Sequence, residues 1–265
     1  MNGSTTTPIK FVLPGVSADA SCDFYVVINR NIADNITTKA KLLEELESDI
    51  ASYNGTYANV TTKAMRSGGF AMTGTVTAKI VSGTTAVTVT VKRVVAKVEI
   101  QTSMTDSFRT KYGNGCVEVK KITLSRGAEK SYLIDQTASK YATVSSSFTS
   151  AQDAYCDKTG ASKTNAYKYN NLFYINEKAA AATGSRIKVV LDAIYDADGN
   201  LSTTADQVPL SYETELTGTT DGKMLRNGSY KLNVNLDGLT GKDMTLSIAI
   251  ANWEALSTQN VNVGK

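Results

Sequence analysis

Val87-Thr88-Val89-Thr90-Val91-Lys92-Arg93-Val94-Val95-Ala96-Lys97-Val98-Glu99-Ile100 is the longest stretch of the chain that reads as β-structure throughout. In its first half Val87, Val89 and Val91 alternate with Thr88, Thr90 and Lys92, a period of two that puts apolar groups on one face and polar groups on the other. From Val94 the apolar set is Val94, Ala96, Val98 and Ile100, on even numbers, with Lys97 and Glu99 opposite. A period of two shifts by one only through a bulge or where a strand leaves one sheet for another, and both belong to the corners of β-sandwiches. Lys92-Arg93 is therefore the expected corner, its basic stems lying over apolar surface with their charges in water.

The same alternation recurs on either side. Val76, Ala78 and Ile80 alternate with Thr75, Thr77 and Lys79, and Ser82-Gly83-Thr84 is expected to fold this strand back on the central one as a hairpin. Val117 and Val119 are followed by Ile122 and Leu124, a second change of phase. Ile9, Phe11, Val12 and Leu13 form a short strand fenced by Pro8 and Pro14, the pattern of an edge, and Phe24 to Ile28 form another. Further strands are expected at Leu172 to Ile175 and at Arg186 to Tyr195. Tyr230, Leu232, Val234 and Leu236, then Met244, Leu246, Ile248 and Ile250, read as two half-buried antiparallel strands, the second closed by Trp253. One helix stands out. Thr37 or Thr38 can cap it, Leu42, Leu46, Ile50 and Tyr53 give it an apolar face, and Glu44, Glu45, Glu47 and Asp49 face water. These elements predict an all-β protein of two sandwich domains in series, 1–130 and 131–265, with one short helix in the first.

Composition excludes several kinds of chemistry. A net charge of +3 from 28 basic and 25 acidic residues, spread along the chain, gives no footprint for nucleic acid. With no histidine, the chain lacks the commonest general base and transition-metal ligand. Cys22, Cys116 and Cys156 lack metal-ligand spacing, and either one disulfide with a leftover thiol or three buried thiols fits them. No nucleophile elbow, P-loop or dinucleotide fingerprint is present, so neither an enzyme nor a cofactor is expected, and Arg226-Asn227-Gly228 reads as a turn. Asp196-Ala197-Asp198-Gly199-Asn200 is faintly similar to a calcium loop. Gln207 stands at the twelfth position, where a bidentate glutamate is needed, so the stretch is read as a hairpin turn without metal. No run approaches the roughly 20 apolar residues that cross a bilayer. The N-terminus lacks a signal-peptide core, so the chain reads as cytosolic or as a mature form.

Several landmarks carry a family resemblance. Arg93-Val94-Val95-Ala96-Lys97-Val98 closely resembles the Arg-x-x-Ala-Lys-hydrophobic strand of the fimbrillins, the pilus subunits of Bacteroidales bacteria. Phe70-Ala71-Met72-Thr73-Gly74 is similar to their hydrophobic-x-Met-Ser-Gly segment, and Phe173-Tyr174-Ile175-Asn176-Glu177 to a strand end in which Lys178 replaces the usual asparagine. Leu225-Arg226-Asn227-Gly228-Ser229-Tyr230 matches the Lys-Arg-Asn-x-x-Tyr start of a strand, and Ala249 to Trp253 the Trp-terminated last strand. The resemblance implies two transthyretin-like β-sandwich domains and an exported lipoprotein precursor, assembled into a fimbria at the cell surface and anchored at the outer membrane. It further implies that a trypsin-like protease removes a first strand, for which Ile9, Phe11, Val12 and Leu13 are the candidates, with cleavage after Lys10 or Arg30. A C-terminal donor strand from another subunit, like or unlike, then fills the groove, and Leu256, Val261 and Val263 are the candidate donor residues. The alternative is a tip or accessory adhesin, binding a host protein or glycan through the tyrosine-rich stretch 137–171. A hydrolase with two carboxylates across a cleft is the third reading.

Overall fold

The computed structural model describes residues 9–11, 15–17, 19–48, 50–54, 69–81, 85–136, 147–157, 168–218, 221–240, 244–252 and 259–263; at 9–11, 147, 157, 168, 244–252 and 259–263 it gives the backbone. The strands of the first half are β1 (Ile9–Phe11), β2 (Ser21–Ile28), β3 (Leu46–Glu47), β4 (Met72–Lys79), β5 (Thr85–Val89), β6 (Lys92–Arg93), β7 (Val95–Met104), β8 (Cys116–Ala128) and β9 (Ser131–Tyr132). Those of the second are β10 (Ser147–Asp153), β11 (Cys156–Asp157), β12 (Lys168–Asn176), β13 (Lys188–Asp196), β14 (Gln207–Glu215), β15 (Gly228–Leu236), β16 (Met244–Asn252) and β17 (Gln259–Val263). Helices α1 (Lys39–Glu44) and α2 (Asp106–Tyr112) and a 3-10 turn at Ile50–Tyr53 lie between strands. The protein is all-β, as its alternating sequence dictates.

Two pairs of sheets bury the apolar faces. The larger pair sets β10-β8-β13-β14 against β11-β12-β7-β15-β16. Val117, Val119, Ile122 and Leu124 of β8 and Val189 and Leu191 of β13 meet Val98 and Ile100 of β7, Phe173 of β12 and Leu232 and Val234 of β15 in one core. The smaller pair sets β2-β4-β6 against β1-β17-β5, with Val87 and Val89 of β5 packed on Phe24, Val26, Val76 and Ala78. Lys92-Arg93 is the corner the phase change requires. The chain leaves the sheet of β5, pairs briefly with β4 as β6, and enters the large sandwich as β7. Val94, Val95 and Ala96 are fully buried where it crosses. The second phase change is a bulge: the β8–β13 register slips at Lys120, so Val119 and Ile122 both reach the core.

Three expectations change. β4 and β5 do not pair as a hairpin; β4 pairs with β2 along eight residues, β5 pairs with β17, and the two strands face each other across the small sandwich. The expected long helix stops at Glu44. Thr38 caps it by accepting from the Lys41 N–H at 3.3 Å, but Leu46–Glu47 pairs with β9, and Ile50 and Tyr53 reach the interior from the 3-10 turn instead. The division drawn at 130 cuts through a sandwich, because β7 and β8 pair with β12, β13 and β15 from the second half. The parallel ladder from Ser229↔Lys97 to Leu236↔Met104 is what binds the central stretch to the C-terminal half.

Candidate functional site

The small sandwich contains the arrangement that bears on assembly. β17 lies between β1 and β5, antiparallel to β5 with Gln259↔Val89, Val261↔Val87 and Val263↔Thr85 in register, and parallel to β1 with Ile9↔Val261 and Phe11↔Val263. Residues directly opposite share a face of a sheet. The register therefore assigns Val261, Val263, Ile9 and Phe11 to the face on which Val87 and Val89 are buried. Two candidate donor residues and two residues of the candidate removable strand thus stand side by side in one sheet, on the same molecule. Leu256, Val12 and Leu13 fall outside the described residues, as does Trp253. Lys10 is the middle residue of β1, opposite Asn262. Arg30 follows β2, its guanidinium 3.6 Å from both Glu45 and the fully buried Glu47. That β5 is the strand β17 pairs with was not read from sequence. The signal was there, in alternating valines for which the expected hairpin supplied a neighbour on one edge only.

A second constellation joins the two sandwiches, and the family-like motifs converge on it. Arg226 is buried; its Nε and Nη2 donate to the Glu177 carboxylate at 2.9 and 2.5 Å, Nη1 donates to Leu133 O at 3.1 Å, and Nη2 donates to Tyr132 O at 2.6 Å. Thr73 Oγ1 donates to the same Leu133 carbonyl at 2.9 Å. Asn227, at φ 55°, accepts from Arg93 Nη1 at 3.3 Å and donates its N–H to Val95 O at 3.0 Å. Phe70 stacks on Tyr53 at 5.0 Å and meets Tyr174 at 4.7 Å. The motifs at 70–74, 93–98, 173–177 and 225–230 thus meet at the joint between the sandwiches.

Elsewhere the geometry constrains the other readings. Of the tyrosines in 137–171, Tyr169 is buried in the large core, where burial and the neighbouring Cys156 hold its hydroxyl far above its ordinary pKa, Tyr155 is half-buried, and Tyr141 and Tyr167 lie outside the described residues. An open groove of about 480 Å³ beside α1 is lined by Tyr25, Val27, Ile32 and Leu42 with one carboxylate, Asp23. Asp23 is committed to Lys39 at 2.5 Å and Thr77 at 2.6 Å, and these donors hold it below the usual carboxylate range. All three cysteines are free, and only Cys116 is buried, so the expectation of three buried thiols is corrected for Cys22 and Cys156. Burial, with the charges of Asp196, Glu118 and Asp198 beside it, pushes the Cys116 thiol up to about 11 and keeps it protonated.

No protein-family model matches the sequence, and no curated protein matches it. Solved structures do. A protein of Parabacteroides distasonis, provisionally assigned to cell adhesion, superposes with a TM-score of 0.54 at 10% identity over 88% of this chain and 83% of its own. A fimbrilin of Porphyromonas gingivalis superposes with a TM-score of 0.51 at 15% identity, covering 89% of this chain and 81% of the other. The tip fimbrial protein Mfa3 of the same species, truncated at its C-terminus, gives 0.50 at 14% identity over 87% and 80%. At these identities it is the fold that is shared, and the chain has the fimbrillin fold.

Proposed function

We propose that the chain is a structural subunit of a cell-surface fimbria, exported as a lipoprotein precursor, anchored through the fibre at the outer membrane and polymerised by exchange of β17 between subunits. The observation that carries this reading is the seat of β17, a C-terminal strand held between a short N-terminal strand and the edge of β5. An incoming β17 makes the same five pairs with β5 as the resident one, so exchange conserves the ladder. Loss of β1 takes away the three pairs that hold the resident strand on its other edge and lowers the barrier to exchange. Of the two candidate cleavage points, Lys10 lies inside β1. A cut after Arg30 would also remove β2, whose Phe24 and Val26 cover Val87 and Val89; a cut after Lys10 keeps β2 and takes away two of the three pairs, leaving Phe11 opposite Val263, so it loosens the resident strand and spares the sandwich. Partners are then other subunits of the same or a different kind, with host protein or glycan met by the assembled fibre. The adhesin reading through 137–171 is weakened by the burial of Tyr169, and a two-carboxylate hydrolase by the single, paired carboxylate of the open groove.

The test is limited digestion with a trypsin-like protease, followed by a denaturing gel of unboiled samples. The expected result is a ladder of multimers that disappears when residues 254–265 are deleted. A clipped product that stays monomeric at high concentration contradicts strand exchange and turns attention to a tip role.

A further inference from the structure

At one end of the large sandwich, three carboxylates crowd together in a way that strand pairing does not explain. Asp196 ends β13, Asp206 directly precedes β14, and Asp198 lies in the loop between them; their oxygens come within 4.8 Å of one another. Asp196 is fully buried. Its Oδ2 accepts from Gln207 Nε2 at 3.1 Å, while its Oδ1 has no hydrogen-bond partner. A buried carboxylate oxygen left unpaired is costly, and two more carboxylates facing it add repulsion. Among the described residues no lysine or arginine pairs with Asp196, Asp198 or Asp206. The charge is concentrated, partly desolvated and uncompensated.

We propose that Asp196, Asp198 and Asp206 bind a calcium ion, with the free Oδ1 of Asp196 as its buried ligand. An all-oxygen set in a chain without histidine selects a hard cation over zinc or copper. An irregular hairpin loop suits calcium, which accepts variable geometry and completes its shell with carbonyls and water, better than magnesium, which demands a near-ideal octahedron. The loop is held for this task. Asp198 N–H donates to Asp206 Oδ2 at 3.0 Å and Asn200 N–H to Asp198 Oδ1 at 2.7 Å, which leaves one oxygen on each carboxylate for the ion. Gly199, at φ 72°, lets the loop close on Asn114, whose carbonyl oxygen would lie 2.4 Å from any added Cβ. Gln207, at the position where a ligating glutamate was sought, orients Asp196 instead, and Asp206 one residue earlier supplies the third carboxylate. The ion ties the end of β13 to the start of β14 and stiffens an edge of the sheet.

The test is thermal unfolding of the full chain, stripped with chelator and then supplied with about 10 mM CaCl2, MgCl2 or NaCl at matched ionic strength. With the affinity typical of extracellular calcium modules, CaCl2 should raise the midpoint by roughly 2–8 °C over NaCl, and MgCl2 by less. Asp196→Asn should unfold at the same or a higher temperature without calcium and lose the calcium response. Asp198 is exposed, so Asp198→Asn tests the site without disturbing the core and should weaken calcium binding in calorimetry at least about tenfold. Equal midpoints in CaCl2 and NaCl, an equal response to MgCl2, or wild-type binding by Asp198→Asn would each overturn the proposal.

Discussion

Arg226 draws together more separate parts of the chain than its setting in a turn suggests. Its guanidinium satisfies Glu177, Leu133 and Tyr132, three groups from two segments far away in sequence. Taking one partner from a buried pair strands the other, so Arg226→Ala should cost about 3–5 kcal/mol in urea unfolding. Arg226→Lys should recover little, because an ammonium cannot make the forked contact. A cost below about 1 kcal/mol for the alanine variant would mean that the joint is wet, not buried. From sequence, Arg226-Asn227-Gly228 read correctly as a turn, with Asn227 in the left-handed region. The role of the arginine was not legible, since nothing local marks a residue whose partners arrive from other strands. Tyr174 shows the same burial through its chemistry. Burial comes first and Glu99 adds to it, with Arg93 opposing, and together they push its hydroxyl from 10.0 up to about 12. A raised pKa favours the neutral, folded form, so this stabilisation is complete below pH 10 and is lost between about pH 10 and 12, where the unfolded tyrosine ionises first. Tyr174→Phe should flatten that alkaline limb by up to roughly 2–3 kcal/mol. An unchanged limb would place the hydroxyl in water.

Among the elements, strands with one buried face were the most legible. β15 shows why: Tyr230, Leu232, Val234 and Leu236 are buried and the residues between them are not, as the alternation required. What alternation cannot say is which neighbour a strand takes. Val76 and Ala78 pack on Val87 and Val89 whether β4 and β5 pair edge to edge or stack face to face, and the sequence favoured the hairpin because the connection is short. Gly74 distinguishes the two arrangements. A Cβ there would lie 3.0 Å from the Val89 side chain of β5, in the facing layer, and 2.2 Å from the carbonyl oxygen of Thr90 just beyond that strand. Gly74→Ala should therefore cost about 1–3 kcal/mol by forcing the layers apart. Gly127→Ala is the control within β8, where the nearest atom to the added Cβ is at 3.4 Å. Equal effects at the two sites would contradict face-to-face packing. The helices failed for opposite reasons. The apolar period over 42–53 was real, but tertiary pairing of Leu46–Glu47 with β9 broke it. α2 was missed although Thr105 caps it, Phe108 and Tyr112 line one face and Gly113 ends it at φ 59°, because seven residues are too few for a period to stand out.

At the scale of the molecule, the sequence indicated two sandwiches but not where one ends. The corner at Lys92-Arg93 was legible as a change of phase. That it separates the sandwiches was not, because the partners of β7 are β12 and β15, which pair with it across 67 residues of sequence or more (Tyr169↔Thr102 is the nearest pair). The pairing of the chain's two ends is further still from any local signal, since β1 and β17 are brought together only by the finished fold. Whether β17 serves its own molecule or a neighbour is the question on which the assembly reading rests, and the register supplies the probe. Thr88 is exposed and stands opposite Asn260. Antiparallel partners lie about 4.5–5.5 Å apart at Cα, within reach of a disulfide. Thr88→Cys with Asn260→Cys, in a background where Cys22, Cys116 and Cys156 are replaced by alanine, should oxidise to an intramolecular disulfide in the intact protein and run as a single monomer. After trimming of the N-terminus, the same cysteines should link subunits into a ladder that collapses on reduction. A disulfide that stays intramolecular after trimming, or that forms in neither state, would contradict exchange of β17 into the slot beside β5.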